Sequence, residues 1–183
     1  MQVVSSVTFD EVQREFRREH PVARQHQGNT NQDTENCLEL ADKSFGRWSE
    51  VRLCRADVLD VMLPWHLSEG GAYELVPRTG LTVGQAARVI QARGAQWAGG
   101  NPVCTAKLDL FRDSAFTSLY LSTHPVPHDH YADVRVGDGF IHLDGLHRMV
   151  AWELAGRLPT GEDLTAFIAG DISSRATTGG QRT

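Results

Sequence analysis

The sequence predicts an α+β fold: a small mixed β-sheet with helices packed around it. Segments with apolar residues at helical spacing are interspersed with short apolar runs bounded by Gly and Pro. Hydrophobic residues make up 40% of the 183-residue chain, enough to build the core of one domain. We expect a single globular domain over residues 1–172 and a disordered polar tail over residues 173–183.

Five segments are predicted to be helices. Thr8 and Glu11 have the spacing of a capping box, and Pro21 ends the helical pattern that follows them. Thr82 and Gln85 form a second capping pair. The predicted helices cover residues 9–19, 36–45, 83–98, 104–112 and 145–155.

Short apolar runs next to turn residues predict the strands. Residues 137–139, Gly-Asp-Gly, favour a hairpin between the runs on either side of them. The predicted strands cover residues 51–54, 72–76, 118–121, 134–136, 140–143 and 164–168. The segment 124–131 contains two prolines and is predicted to be irregular.

The composition argues against several classes of partner. A formal net charge of −5 does not suit a protein that binds the phosphate backbone of a nucleic acid. The sequence has no apolar run of about 20 residues, and its first residues lack the pattern of a signal peptide. We therefore expect a cytoplasmic protein that binds a small molecule rather than a nucleic acid or a membrane, and no oligomeric state is predicted.

The cysteines Cys37, Cys54 and Cys104 are isolated in the sequence. They form neither a zinc pattern nor a disulfide framework, and no sequence signature pairs any of them with a histidine. The interpretation is that they are buried or inert, in a reducing cytoplasm.

The segment 140–157 reads as a strand, a tight turn and a helix. Asp144 can cap the helix, and Gly145 lets a ligand approach the backbone closely. His147 and Arg148 fall in the first turn, where backbone N–H groups and the helix dipole favour an anion such as phosphate. The alternative is an ordinary capped helix with a surface His and Arg.

This segment, FIHLDGLHRMVAWELAG, resembles the DGxHR segment of the ParB/sulfiredoxin-like superfamily, over residues 134–157. In that superfamily the equivalent turn and helix start bind nucleotide phosphates. The resemblance implies that Gly145, His147 and Arg148 are phosphate ligands and that Asp144 shapes the turn. It also implies a ParB/sulfiredoxin-like C-terminal half of the fold.

Two departures from the superfamily narrow the function that it implies. Leu146 stands where sulfiredoxins carry their reactive cysteine, so their redox reaction is not expected. The sequence after this segment is too short for the DNA-binding domain of the chromosome-partitioning members. With these two activities excluded, the resemblance leaves phosphoryl transfer, as in the free-serine kinases of the superfamily. The expected cofactors are then ATP or ADP and Mg²⁺.

A second group of chemically capable residues lies in Trp65-His-Leu-Ser-Glu-Gly-Gly, residues 65–71. His66 and Glu69 are three residues apart and can share a site, as a general base, as activators of a hydroxyl or as metal ligands. The alternative is a structural cap, in which Ser68 or Glu69 binds backbone amides.

A third group comprises His124, His128 and His130, with Asp129 and Asp133 beside them. Imidazoles at this spacing can bind a transition metal, although known short metal motifs do not match and exposed loops often carry histidines. No metal ligand is assigned here. His142 shares a face of its strand with Asp144 by strand alternation.

The leading hypothesis is an enzyme that binds a nucleotide or phosphorylated ligand at Asp144, Gly145, His147 and Arg148. His66, Glu69 and His147 are its candidate catalytic residues, with His66 or Glu69 orienting or deprotonating the acceptor. One alternative is a nucleotide-independent lyase, isomerase or cyclase acting on a carboxylate. Another is a non-catalytic module that senses a ligand or binds a partner.

Overall fold

The computed structural model describes residues 1–21, 31–67, 69–161 and 163–173. Within them, six helices pack against a seven-stranded mixed sheet, which confirms the predicted α+β class. The helices are α1 (Phe9–Glu19), α2 (Asn31–Phe45), α3 (Arg55–Leu59), α4 (Val83–Gly100), α5 (Pro102–Arg112) and α6 (Leu146–Leu154). The strands are β1 (Gln2–Val7), β2 (Trp48–Leu53), β3 (Met62–Leu63), β4 (Leu81–Thr82), β5 (Leu119–Ser122), β6 (Ile141–Asp144) and β7 (Leu164–Ala169). The predicted tail lies outside the described residues from position 174 onward.

The strands follow the order β1-β2-β7-β5-β6-β3-β4 across the sheet. The pairs β5–β7 and β3–β6 are parallel, and the other four pairs are antiparallel. β7, the last strand among the described residues, therefore lies between β2 and β5. β6, which leads into α6, lies between β5 and β3, so the turn after it is held from both sides.

Helices cover both faces of the sheet. On β5, Leu119 and Leu121 belong to the core formed with α4, α5 and α6, whereas Tyr120 belongs to the core formed with α1 and α2. This alternation is the two-residue period of a strand. All four residues of β5 are buried because apolar layers lie on both sides of it.

The turn between β6 and α6 depends on Gly145. Its φ of +109° lies in the left-handed region, which L side chains rarely adopt. A Cβ added at this position would lie 2.7 Å from Cδ2 of Leu119 on the neighbouring strand. Glycine is thus required by both conformation and packing, and α6 begins immediately after β6.

The five predicted helices are confirmed, although several begin or end at residues other than those predicted. The capping box of α1 is confirmed: the Thr8 hydroxyl accepts from the Glu11 N–H at 3.3 Å, and the Glu11 carboxylate accepts from the Thr8 N–H at 2.7 Å. α2 begins at Asn31 rather than at residue 36. α4 is interrupted at Gly94, where φ is +48° and ψ is −127°.

The predicted strand at residues 72–76 is wrong. The N–H of Ala72 donates to the Gly100 carbonyl at 2.7 Å, and the N–H of Tyr73 donates to the Asn101 side chain at 3.3 Å. The end of α4 thus takes the hydrogen bonds that a sheet neighbour would need. Only Val76 makes an isolated bridge, to His66.

The predicted hairpin of residues 134–136 with residues 140–143 is also wrong. The N–H of Val134 donates to the Tyr131 carbonyl, and the N–H of Arg135 donates to the Thr79 carbonyl at 3.1 Å. Both edges of β6 are already paired, with β5 and β3. The chain bends at Asp138 and Gly139, but this bend does not join two paired strands. The sequence analysis also did not predict β1, α3, β3 or β4.

Phe16 carries much of the packing of α1 on the sheet. It is 1% exposed and meets the ring of Tyr120 edge to face at 5.4 Å. We expect Phe16→Ala to lower the free energy of unfolding by about 3–5 kcal/mol, because a large buried ring is lost and a cavity remains. Urea denaturation measures this. Val4→Ala, at a position 50% exposed on β1, should change the value by no more than about 0.5 kcal/mol; similar losses in both variants would contradict the assignment.

Candidate functional site

A cavity of about 620 Å³ opens where the end of β6 and the start of α6 meet α5 and the loop after β3. Its volume lies within the range of small-molecule sites in proteins. We call it the α6 cavity. Its wall includes Trp65, His66, Lys107, Tyr131, Asp144 and His147.

Three side chains converge at one end of the α6 cavity to form the His–Cys–His cluster: His66, Cys104 and His147. The Cys104 Sγ lies 3.4 Å from Nε2 of His66 and 3.3 Å from Nε2 of His147. The two imidazole rings lie 5.0 Å apart, nearly perpendicular to each other. Two histidines that are 81 positions apart in the numbering thus meet at a single sulfur atom.

Each member of the cluster is held by a different element. The backbone of His66 bridges to Val76, and its N–H donates to the Val76 carbonyl at 2.9 Å. Cys104 lies in the first turn of α5, and His147 lies in the first turn of α6. Cys104 is 1% exposed and does not line the cavity, whereas both histidines do. The sulfur therefore lies behind the two imidazoles as seen from the cavity.

Burial affects the protonation of His66. Desolvation lowers the pKa of His66 to about 4, and the charges of Lys107 and His130 add to this effect. The imidazole is consequently neutral at pH 7, with a nitrogen lone pair available to a proton or a metal ion.

Asp144 does not cap α6, contrary to the prediction. The N-cap is Gly145, which makes no side-chain cap, and Asp144 is the last residue of β6. Its carboxylate instead accepts from the guanidinium of Arg148 and lies 3.0 Å from Nε2 of His20. The register of β6 directs the carboxylate towards these partners rather than towards the first amides of the helix.

Arg148 is a buried partner of Asp144 rather than an exposed residue at the helix start. It is 7% exposed, and its guanidinium donates to both Asp144 and the Thr117 hydroxyl. Its charge is thus largely compensated inside the protein. Arg148 still lines the cavity, as do Gly145 and His147.

His142 shares the face of β6 that carries Asp144, as strand alternation predicts. Its Nε2 accepts a hydrogen bond of 2.9 Å from the N–H of Leu146. The first amide of α6 is therefore satisfied by a side chain of the protein itself. Burial lowers the pKa of His142 to about 4, which keeps the accepting nitrogen unprotonated at neutral pH.

The structure separates several residues that the sequence grouped. Glu69 lies in an exposed turn and is not part of the cavity wall that contains His66 and His147, and Ser68 is not among the described residues. The rings of His128 and His130 lie 4.7 Å apart in the wall, whereas His124 lies beside Phe45 and is not in the wall.

The sequence analysis did not pair Cys104 with a histidine. Over the part of the chain described, the only three-member set of His, Cys, Asp or Glu with ligand atoms within 4.8 Å of one another is the His–Cys–His cluster. Cys104 is 38 positions from His66 and 43 from His147, so no local spacing could reveal the contact. The one local signal is Pro102, two residues before Cys104, which is typical of a helix start and so places Cys104 in the first turn of a helix.

Removing the guanidinium of Arg148 should destabilise the protein. In Arg148→Met the Asp144 carboxylate, whose side chain is 17% exposed, loses its arginine partner. We expect the free energy of unfolding to fall by about 3 kcal/mol, the usual cost of breaking a buried ion pair. Urea denaturation measures the loss. The double variant Asp144→Asn/Arg148→Met should recover part of it, and wild-type stability in the single variant would contradict the pair.

Stability should depend on the protonation of His142. The pKa of about 4 in the folded state lies below the value of about 6.5 expected in the unfolded state. The unfolded state therefore binds more protons at this residue, and the contribution of His142 to stability, up to roughly 3 kcal/mol, is lost as pH drops from about 6.5 towards 4. His142→Gln should flatten this part of the curve of unfolding free energy against pH. An unchanged slope would show that His142 is not the group responsible.

No helix among the described residues is sufficiently long and apolar to cross a membrane.

The comparisons with known proteins give a family for the chain. Neither the curated proteins nor the solved structures with which the chain was compared include a significant match. A family model described as a family of unknown function, DUF6309, matches residues 1–182. The chain therefore belongs to the DUF6309 family.

Proposed function

We propose that the protein is an enzyme that binds a small acidic molecule, a phosphate or a carboxylate, in the α6 cavity. One observation carries the proposal: His66 and His147, from separate parts of the chain, lie in the wall of a cavity of about 620 Å³ and converge on the buried sulfur of Cys104. Ionisable side chains clustered in a cleft of this size are typical of reactive centres.

Two features support an acidic ligand. The positive end of the α6 dipole faces the cavity, since Gly145 and the first-turn residue His147 both belong to its wall. Lys107, on α5, adds a cationic side chain to the same wall. Arg148 contributes less directly, because its guanidinium is bound to Asp144. Its role in the proposal is to hold Asp144 and the start of α6 in place.

The two histidines have different proposed roles. The low pKa of His66 makes it a weak base at neutral pH, which favours orienting a substrate group over removing its proton. His147 is the residue proposed to exchange a proton with the ligand, because its ring lies at the helix start where the acidic group binds. Glu69, exposed and outside the cavity wall, has no place in this mechanism.

A nucleotide is one ligand with this chemistry. Binding of ATP or ADP with Mg²⁺ and transfer of a phosphoryl group to a small acceptor remain proposals, supported by the resemblance of the segment around Gly145 to phosphate-binding turns. The carboxylate substrate of a lyase, isomerase or cyclase would use the same α6 dipole and Lys107. The two substrate classes differ in a measurable way, since only the first requires a nucleotide.

Calorimetric titration can test the proposal. We would titrate the wild-type protein with inorganic phosphate, with ATP and ADP in the presence and absence of Mg²⁺, and with succinate. Lys107→Gln should weaken the binding of the ligand that the protein accepts by about tenfold or more, as expected on loss of a hydrogen bond to a charged group. Lys43→Gln removes the chain's other lysine, which is 72% exposed on α2, and should leave the affinity unchanged.

The titration separates the hypotheses. Binding of ATP or ADP that depends on Lys107 would support the nucleotide class, and binding of succinate alone would support the carboxylate class. No binding of any of these ligands by the wild type would reject the proposal. Equal affinities in Lys107→Gln and wild type would place the ligand elsewhere and reject it as well.

A further inference from the structure

The His–Cys–His cluster has the composition of a transition-metal site. Its three members offer one thiol sulfur and two imidazole nitrogens, and all three atoms lie within 4.8 Å of one another. Thiolate and imidazole ligands suit zinc, whereas Mg²⁺ and Ca²⁺ take oxygen ligands. The donor set therefore selects a zinc-like ion rather than the Mg²⁺ expected with a nucleotide.

The spacing of the donor atoms fits tetrahedral coordination. Zinc binds sulfur at about 2.3 Å and imidazole nitrogen at about 2.0–2.1 Å, so adjacent sulfur and nitrogen ligands lie roughly 3.6 Å apart around a tetrahedral ion. The Cys104 sulfur lies 3.4 Å from Nε2 of His66 and 3.3 Å from Nε2 of His147. Both sulfur–nitrogen distances thus lie close to the separation of adjacent ligands around a tetrahedral ion.

The burial of Cys104 argues against its thiol as a nucleophile for a ligand in the cavity. Cys104 is 1% exposed and is absent from the cavity wall, so a substrate in the cavity meets the imidazoles before the sulfur. A metal ion held between the sulfur and the imidazoles would be accessible to a substrate in the cavity, because His66 and His147 both line it. Its remaining ligand position would point in that direction.

We propose that His66, Cys104 and His147 bind one zinc ion, whose fourth ligand position opens into the α6 cavity. Cys104 binds as the thiolate, and its proton is released to solvent when the metal enters. Three protein ligands and one open position are the arrangement of catalytic rather than structural zinc sites. The fourth position takes a water molecule or an oxygen atom of the ligand.

This inference deepens the proposed function, on which its catalytic meaning rests. A zinc ion at this end of the cavity would add a positive charge beside Lys107 and the start of α6. It would bind an oxygen of a phosphate or carboxylate directly and polarise it. The histidines would then act as ligands of the metal, which replaces the orienting and proton-exchange roles proposed for them without a metal. A zinc-bound water would exchange the proton instead.

Cobalt substitution tests the site without any substrate. We would remove metal from the protein with a chelator and titrate it with Co²⁺, following the visible bands of four-coordinate cobalt and the near-ultraviolet thiolate-to-cobalt band. The expected result is one ion per chain and a thiolate band that Zn²⁺ abolishes. Absence of the thiolate band from the wild type would overturn the proposal.

Matched variants assign the ligands. Cys104→Ser should lose the thiolate band, whereas Cys37→Ser, which alters another buried cysteine, should keep it. His66→Gln should weaken Co²⁺ binding by more than about 100-fold, since loss of an outer-shell partner alone costs 10–100-fold. Retention of the band in Cys104→Ser, or its loss in Cys37→Ser, would overturn the assignment.

If Cys104→Ser does not fold, a measurement on the wild type alone can identify the ligands of the metal. X-ray absorption of the zinc-loaded protein should show one sulfur and two imidazoles around the metal, and a shell of oxygen and nitrogen only would refute the site. None of these readouts depends on the ligand titrations. A protein that binds zinc but no acidic ligand would retain this site and reject the proposed function, and the reverse result would reject the site alone.

Discussion

The single-residue junction between β6 and α6 is the constraint on which the rest of the site depends. Gly145 adopts a left-handed conformation and packs against Leu119, so the chain passes from strand to helix without an intervening loop. Asp144 is thereby fixed at the strand end, and His147 and Arg148 are fixed in the first turn of the helix. The ion pair of Asp144 with Arg148 then ties the two elements together. The junction thereby supplies one part of the wall of the α6 cavity.

Local patterns were sufficient to predict much of the fold. The capping boxes at Thr8 and Thr82 locate the starts of α1 and α4 because their hydrogen bonds join residues only three apart. The junction at Gly145 was also recognisable, as was the placement of His142 and Asp144 on one face of β6. Each of these features is determined within one element or one turn, where sequence spacing corresponds directly to distance.

The predictions that were wrong concern interactions between segments that are distant in the sequence. Residues 72–76 have a strand-like pattern, yet the backbone amides of Ala72 and Tyr73 bind the end of α4, which sequence spacing does not reveal. Asp144 has the local position of a helix cap, but its carboxylate is bound by Arg148 and lies beside His20. Cys104 shows the same limit within the site: the packing of α5 against α6 brings it to His147, and the loop after β3 brings His66 to the same sulfur.

The position of β7 has a consequence for how the protein acquires its structure. This strand is the last of the seven in the chain but lies in the middle of the sheet, between β2 and β5. The β1–β2 pair can therefore join the β5–β6 pair only after residues 164–169 have been synthesised. Contacts of such long range slow folding, because a large loop must close before they form. During synthesis the unpaired edges of β2 and β5 remain exposed, so this is the stage at which a nascent chain most needs protection from aggregation.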